Sequence, residues 1–226
     1  MFRELISIFR SSDPLRELGE QFSEMLRIAH ELTLKAGTII FEGQSSPEDR
    51  AWIYEQDVKV NVLERQIREQ VLAHLSLTKN AMDLPYSLLL MSLVKDVERI
   101  GDYSKNLAEI SDFHPGPLPE DEIGAELREI RVGVEEAFGH LANVFKKSDR
   151  ERALELIRKG KGSAKRCEAL IRKIAASDHG AATVTALTLG TRYYKRVGGH
   201  VLNILSSVVM PLHKVDYFDE ESILAI

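Results

Sequence analysis

One cysteine, Cys167, stands among 226 residues. No intrachain disulfide can brace the chain, so a packed core must do it, and a reducing compartment is expected. Missing too is any apolar run near the ~18–20 residues that cross a bilayer. The opening stretch, MFRELISIFRSSDPL, is too short and too interrupted by charge for a secretory signal. Its pattern leaves two readings open, a docking helix and an amphipathic anchor on a membrane surface. Strand-like alternation bounded by hairpin turns is absent, which argues against a sandwich or barrel. A net charge of −5 argues against general nucleic-acid binding by the whole chain. There is no Gly-rich phosphate loop, nucleophile elbow or Cys/His dyad, and no histidine has Glu three residues before it. The expectation is a protein that is not an enzyme. Metal-centred oxidation or phosphate-ester hydrolysis is the competing class, and a metal-free helical adaptor is a third.

What is present is 44% apolar content with a helical period. Pro14 opens a helix capped by Asp13. From there Leu15, Leu18, Phe22, Met25, Ala29, Leu32, Ala36 and Ile39 alternate spacings of three and four, ending near Gly43. Ser46-Pro47 opens a second helix, to about Leu77, and Asp83-Leu84-Pro85 a third. The run Leu88-Leu89-Leu90-Met91, Leu93, Val94 in that third helix reads as core. His114-Pro115-Gly116-Pro117-Leu118-Pro119 is the one Pro/Gly cluster and the best internal boundary. Beyond it the plan repeats, with helices over roughly 120–147, 150–176 and from after Gly180 to Pro211. The expected fold is all-α: six helices in two pseudo-symmetric three-helix bundles, residues 1–114 with an N-terminal extension and 115–226 with a C-terminal tail. Glu98-Arg-Ile-Gly-Asp-Tyr-Ser-Lys-Asn106 aligns with Lys195-Arg-Val-Gly-Gly-His-Val-Leu-Asn203, which marks a duplication.

The first copy carries a constellation of acids. Glu98 and Asp102 lie one helical turn apart around Gly101. On the second helix Ile53, Asp57, Val60, Glu64, Ile67 and Val71 share a stripe, with Asn61 beside them. If the two helices pack there, with Gly101 letting the backbones approach, four carboxylates converge. Two unit charges ~4 Å apart repel by about 4 kcal/mol at an effective dielectric near 20. Solvent exposure, protonation or a bound cation relieves this. Oxygen donors on facing helices favour hard cations or carboxylate-held iron, while a solvated acidic seam is the simpler reading. In the second copy Asp57, Asn61, Glu98 and Asp102 become Lys161, Lys165, Lys195 and Gly199, and Glu168 stands opposite Glu64. Lys195 is therefore expected beside Glu168, an internal pair in place of a cation.

The string DVERIGDYSKNLAEI (96–110), the pattern Asp57-x-x-x-Asn61-x-x-Glu64 and the duplicated three-helix plan resemble the PhoU family of phosphate-signalling regulators over roughly residues 13–212. The resemblance implies a non-enzymatic negative regulator in the cytoplasm, able to sit at the inner face of the membrane and often dimeric. Its implied partners are the phosphate ABC transporter and a sensor histidine kinase, or another membrane ion transporter such as a sodium–phosphate cotransporter. It further implies a divalent or transition metal ion (Mg, Mn, Ca, Fe or Zn) in the first repeat, at Asp57, Asn61, Glu64, Glu98 and Asp102, with Arg99 and Asn106 as orienting neighbours. The second acidic motif is lost. Residues 146–173 carry eleven Lys or Arg against four acids. The face over 158–173, including Lys159, Lys161 and Arg166, is expected either to dock anionic partners or an acidic membrane surface, or to be a plain solvated helix face.

Overall fold

The computed structural model describes residues 14–43, 45–77 and 80–216. The reading of the first twelve residues and the Asp13 cap lie outside them. Six long helices carry the chain: α1 (Pro14–Glu42), α2 (Pro47–Leu77), α3 (Leu84–Glu109), α4 (Glu122–Lys147), α5 (Arg150–Ala175) and α6 (Ala181–Val209). Among the described residues there is no strand, and no helix is long and apolar enough to cross a membrane.

Each expected helix is present, and its ends follow local chemistry. Pro47 begins α2 and Pro85 sits in the first turn of α3, where a missing N–H removes nothing the helix uses. The Asp121 carboxylate accepts from the Gly124 amide and caps α4; Asp149 does the same for α5 from the Arg152 amide. Between α4 and α5, Ser148 turns the chain in the left-handed region at φ 54°.

Every member of the α1 stripe is buried. So are Leu26, Ile28, Ile40 and Phe41, because α1 packs on α2 and α3 and also touches α4. In the run that opens α3, Leu89, Leu90, Leu93 and Val94 are buried but Leu88 is 49% exposed. Four consecutive residues span more than one face of a helix, so one of them must turn outward.

The helices group as α1–α2–α3 and α4–α5–α6, with α3 and α6 packed along each other. At their crossing the Tyr103 ring stacks on His200, centroids 5.8 Å apart at 19°. His200 is the repeat counterpart of Tyr103, so the pseudo-two-fold axis passes through this contact. Beside it the His200 Nδ1–H donates to Asp96 Oδ1 at 2.7 Å and the Asn203 amide donates to the same oxygen at 2.9 Å. A second buried polar contact joins the halves: Arg131 pairs with Glu135 at 2.7 Å and donates to the Gly37 carbonyl at 3.2 Å. The Arg128 and Arg131 guanidiniums lie over the Phe41 ring.

The Pro/Gly segment is fixed in place. The Leu118 amide donates to the Ile40 carbonyl and its side chain is buried. Gly43 ends α1 at φ +64°, where a Cβ would fall 2.5 Å from the Pro117 nitrogen. A side chain at Gly124 would strike the Pro119 carbonyl. The boundary in sequence is thus a packed corner.

Asp96→Ala is expected to destabilise the protein by about 2–4 kcal/mol, since it leaves the His200 and Asn203 donors without their acceptor. Asp96→Asn, which keeps one carbonyl oxygen, should lose less. Urea unfolding of the two variants checks both the sign and the order.

Candidate functional site

The α2–α3 seam brings the acids together. Ile53, Val60, Ile67 and Val71 bury one stripe of α2, and the same register carries Asp57 inward and Glu64 to its edge. Asp57 is only 6% exposed. One of its oxygens, Oδ2, accepts from the Lys105 ammonium at 2.8 Å. The other, Oδ1, is buried without a hydrogen-bond partner.

Lys105 was not singled out by the sequence, and it changes the electrostatics. Its ammonium bridges Asp57 and Asp102 Oδ1, the latter at 3.3 Å. Burial opposes its charge, yet hydrogen bonds and attraction from Asp57 and Asp102 outweigh that and raise its pKa. Arg99 lies 3.5 Å from Glu98 and 3.3 Å from Asp102, and Arg68 lies 2.9 Å from Glu64. Four carboxylates therefore meet three cations. The expectation of four converging carboxylates left out Lys105 and Arg68 on the same two helices. The available signal was spacing: Lys105 follows Asp102 by three residues and Arg68 follows Glu64 by four, both facing positions on a helix.

Glu98 still carries the strain. Burial raises its pKa, Asp102 and then Glu64 add repulsion, and Arg99 offsets only part of this. Arg99 thus touches both acids of its own helix. Asn106 makes no hydrogen bond to them among the described residues, whereas its counterpart Asn203 serves Asp96. Asn61 is half-buried beside the seam and forms no hydrogen bond there.

Gly101 is buried against α2. A Cβ at that position would meet Val60 Cγ1 at 3.4 Å and Asp57 Oδ1 at 3.9 Å. These are ordinary contacts, so the helices would tolerate alanine.

The donor types suit a hard cation: all are oxygens, and one buried oxygen is orphaned. The arrangement is nonetheless that of a lysine-clamped seam. Among the described residues no three His, Cys, Asp or Glu side chains group to hold a metal ion.

In the second copy Lys195 pairs with Glu168 at 2.7 Å, as its position predicted, and holds the glutamate pKa down. Arg166 and Lys173, part of the basic stretch, are ion-paired to α4 through Glu126, Glu129 and Glu122. They fasten α5 to α4, which removes them from the open basic face. Cys167 is buried and its thiol is pushed up to about 11, far from a working nucleophile.

Burial and like charges raise the Glu98 pKa, so the folded state holds its proton more tightly than the unfolded chain does. Stability from this group is present below the ordinary glutamate pKa of about 4.3 and is lost as pH rises through the raised value. Glu98→Gln should therefore raise Tm at pH 7 in metal-free buffer, by about 1–3 °C, with the gain shrinking toward pH 4. A gain that grows on acidification would contradict this assignment.

Comparison with known proteins follows the same outline. Residues 15–111 match the family model described as the PhoU domain. No curated protein matches the chain in sequence. Among solved structures the chain is similar to PhoU from Pseudomonas aeruginosa, at 20% identity and a TM-score of 0.79, over 87% of this chain and 95% of that one. It is also similar to the phosphate transport system regulatory protein PhoU from Streptococcus pneumoniae, at 20% identity and a TM-score of 0.73, over 86% and 92% respectively.

Proposed function

Residues 15–111 are a PhoU domain and the chain as a whole has the PhoU fold, and on that footing we propose that the protein is a non-enzymatic regulator of phosphate transport. The observation that carries this is the likeness in fold, over 86% of the chain, to a protein described as a phosphate transport system regulatory protein. Its partner is a membrane complex, the phosphate ABC transporter, its sensor histidine kinase, or a related ion transporter. It meets that partner from the cytoplasm as a homodimer. Exposed Leu72, Leu77, Met82 and Leu88 around the α2–α3 turn support an apolar contact face. Exposed Arg158 and Arg172 on α5, outside the ion pairs to α4, support attraction to an anionic surface.

The same reading gives the first-repeat seam a metal ion, held by Asp57, Glu64, Glu98 and Asp102 with Asn61 beside them. The ion would supply positive charge that fixes α2 against α3. The orphaned Asp57 Oδ1 and the raised Glu98 support it. Lys105 is the competitor, because its ammonium already spans Asp57 and Asp102. Cation binding and the lysine clamp are thus alternatives at one place, and metal retention should be weak in the wild type.

Elemental analysis tests this directly. Lys105→Ala should retain more Mn²⁺ or Mg²⁺ than the wild type, by at least about tenfold in affinity, or roughly 1.4 kcal/mol. Adding Glu98→Ala and Asp102→Ala should abolish the gain. Equal retention in all three proteins would remove the metal from the proposal while leaving the regulator intact.

For the regulator itself, tagged protein should recover subunits of the phosphate transporter or its kinase from detergent-solubilised membranes of its own host. Recovery should fall as salt rises past 0.1 M, where charges are screened over ~10 Å. Deletion of the gene with no change in phosphate uptake or in phosphate-responsive expression would overturn the assignment.

A further inference from the structure

Between α4, α5 and α6 lies a hollow of about 540 Å³, within the ~300–1,000 Å³ span of small-molecule sites. It occupies the second copy's version of the acidic seam. Lys161, Lys165, Lys195 and Gly199, the counterparts of Asp57, Asn61, Glu98 and Asp102, all line it, and Lys159 joins them. Duplication has kept the place and reversed its charge.

The lysines are not equally engaged. Lys195 is paired with Glu168 and Lys159 with Glu155. Lys161 and Lys165 enter no ion pair or hydrogen bond among the described residues. Glu136, the carboxylate on the wall, lies 3.6 Å from Arg152. Two ammonium groups therefore stand at a cavity with no anion assigned to them. Its remaining lining is largely apolar and includes Ile130, Val134, Leu156, Leu202 and Tyr194.

The hollow also has a structural cause. A Cβ at Gly199 would have no atom within 4 Å, and one at Gly133 would meet only Ser163 Oγ, at 3.8 Å. The counterpart of Lys105 is Leu202, which lies against Gly160 so closely that a Cβ there would sit 2.6 Å away. The cation that clamps the first seam has thus become part of an apolar wall in the second.

We propose that this hollow binds a soluble phosphorylated small molecule with an apolar or aromatic body, a nucleoside phosphate in class. The phosphates meet Lys161 and Lys165, and the body lies along the apolar wall of Val134, Ala137 and Leu202. Lysine ammoniums act as point charges and suit a compact, multiply charged phosphate, whereas planar carboxylates are matched by the arginine fork. Two unpaired cations call for at least two negative charges, more than one carboxylate brings. The inference goes beyond the regulator reading and uses the other repeat, so neither the metal experiment nor the pull-down decides it.

Isothermal titration with ATP and with inorganic phosphate, in metal-free buffer, tests it on the full chain. ATP should bind with one site per chain and at least about tenfold tighter than inorganic phosphate, a difference of roughly 1.4 kcal/mol. Lys161→Ala combined with Lys165→Ala should weaken ATP at least tenfold. Gly199→Leu should do the same with no change of charge, by filling open space. Lys173→Ala, whose partner is Glu122 in the first turn of α4 and which does not line the hollow, should leave binding unchanged. Circular dichroism confirms that each variant is folded. No ATP binding by the wild type overturns the proposal, as does binding that survives either change in a folded variant. Flotation with phosphatidylglycerol vesicles separates the other source of phosphate: vesicle binding that needs Lys161 and Lys165, without ATP binding, also overturns it and assigns the lysines to a membrane surface.

Discussion

A carboxylate held at a helix seam needs a donor to face it, and the seams of this protein supply one, in most cases from a neighbouring helix. Asp57 on α2 meets Lys105 on α3. Asp96 on α3 meets His200 and Asn203 on α6. Glu168 on α5 meets Lys195 on α6. Glu135 finds Arg131 on its own helix, and that guanidinium reaches on to the Gly37 carbonyl of α1. Pairs of this kind add little net stability, because desolvation offsets most of the attraction. Their effect is on register. A helix sliding by one residue would turn the partners away and strand the buried Asp57 and Asp96, while the apolar core alone would tolerate some repacking.

The duplication makes the same constraint visible twice. In the first copy a carboxylate on α2 faces a lysine on α3. In the second the α5 position is Lys161 and the α6 position is Leu202, so the clamp is gone. One salvaged pair, Lys195 with Glu168, keeps the seam joined at its exposed edge. With Asp57 and Glu98 both replaced by lysine, the second seam has no claim on a cation. In the first, the Lys105 ammonium already supplies a positive charge to Asp57 and Asp102. The two halves keep one backbone plan while their polar chemistry has moved apart.

Helix ends and core stripes were legible because they rest on nearest-neighbour rules. Proline at a first turn, turn residues at helix breaks and apolar spacings of three and four need no tertiary knowledge, and α1 through α6 fall where those signals put them. The acids of the site were legible for the same reason, since a stripe on α2 fixes which residues face α3. Lys105, Arg99 and Arg68 lay on those faces too, but a count of acids alone passed over Lys105 and Arg68. Asp96 with His200 and Asn203 was out of reach, because those residues are more than a hundred positions apart and pair only once the pseudo-two-fold axis is known. The hollow was invisible for a different reason: a void has no residue of its own, and it arises where Gly133 and Gly199 leave volume unfilled.

The repeat glycines show how one sequence signal yields two geometries. Gly101 and Gly198 align, and both sit where a helix turns its bare side inward. At Gly101 the nearest atoms belong to α2, through Val60 and Asp57. At Gly198 a Cβ would touch Val134 of α4 at 3.2 Å, and no α5 atom lies within 4 Å. The third helix of each repeat thus presents the same small residue to a different neighbour. In the first copy that presentation brings α2 against α3 and leaves an orphaned carboxylate oxygen beside the glycine. In the second it turns the bare side toward α4 instead, and the next residue, Gly199, leaves open space at the hollow that Lys161 and Lys165 line. A glycine conserved between two repeats need not preserve one contact. Here it preserves the freedom of a helix face, and the side chains around it decide whether that freedom becomes a packed seam or a cavity.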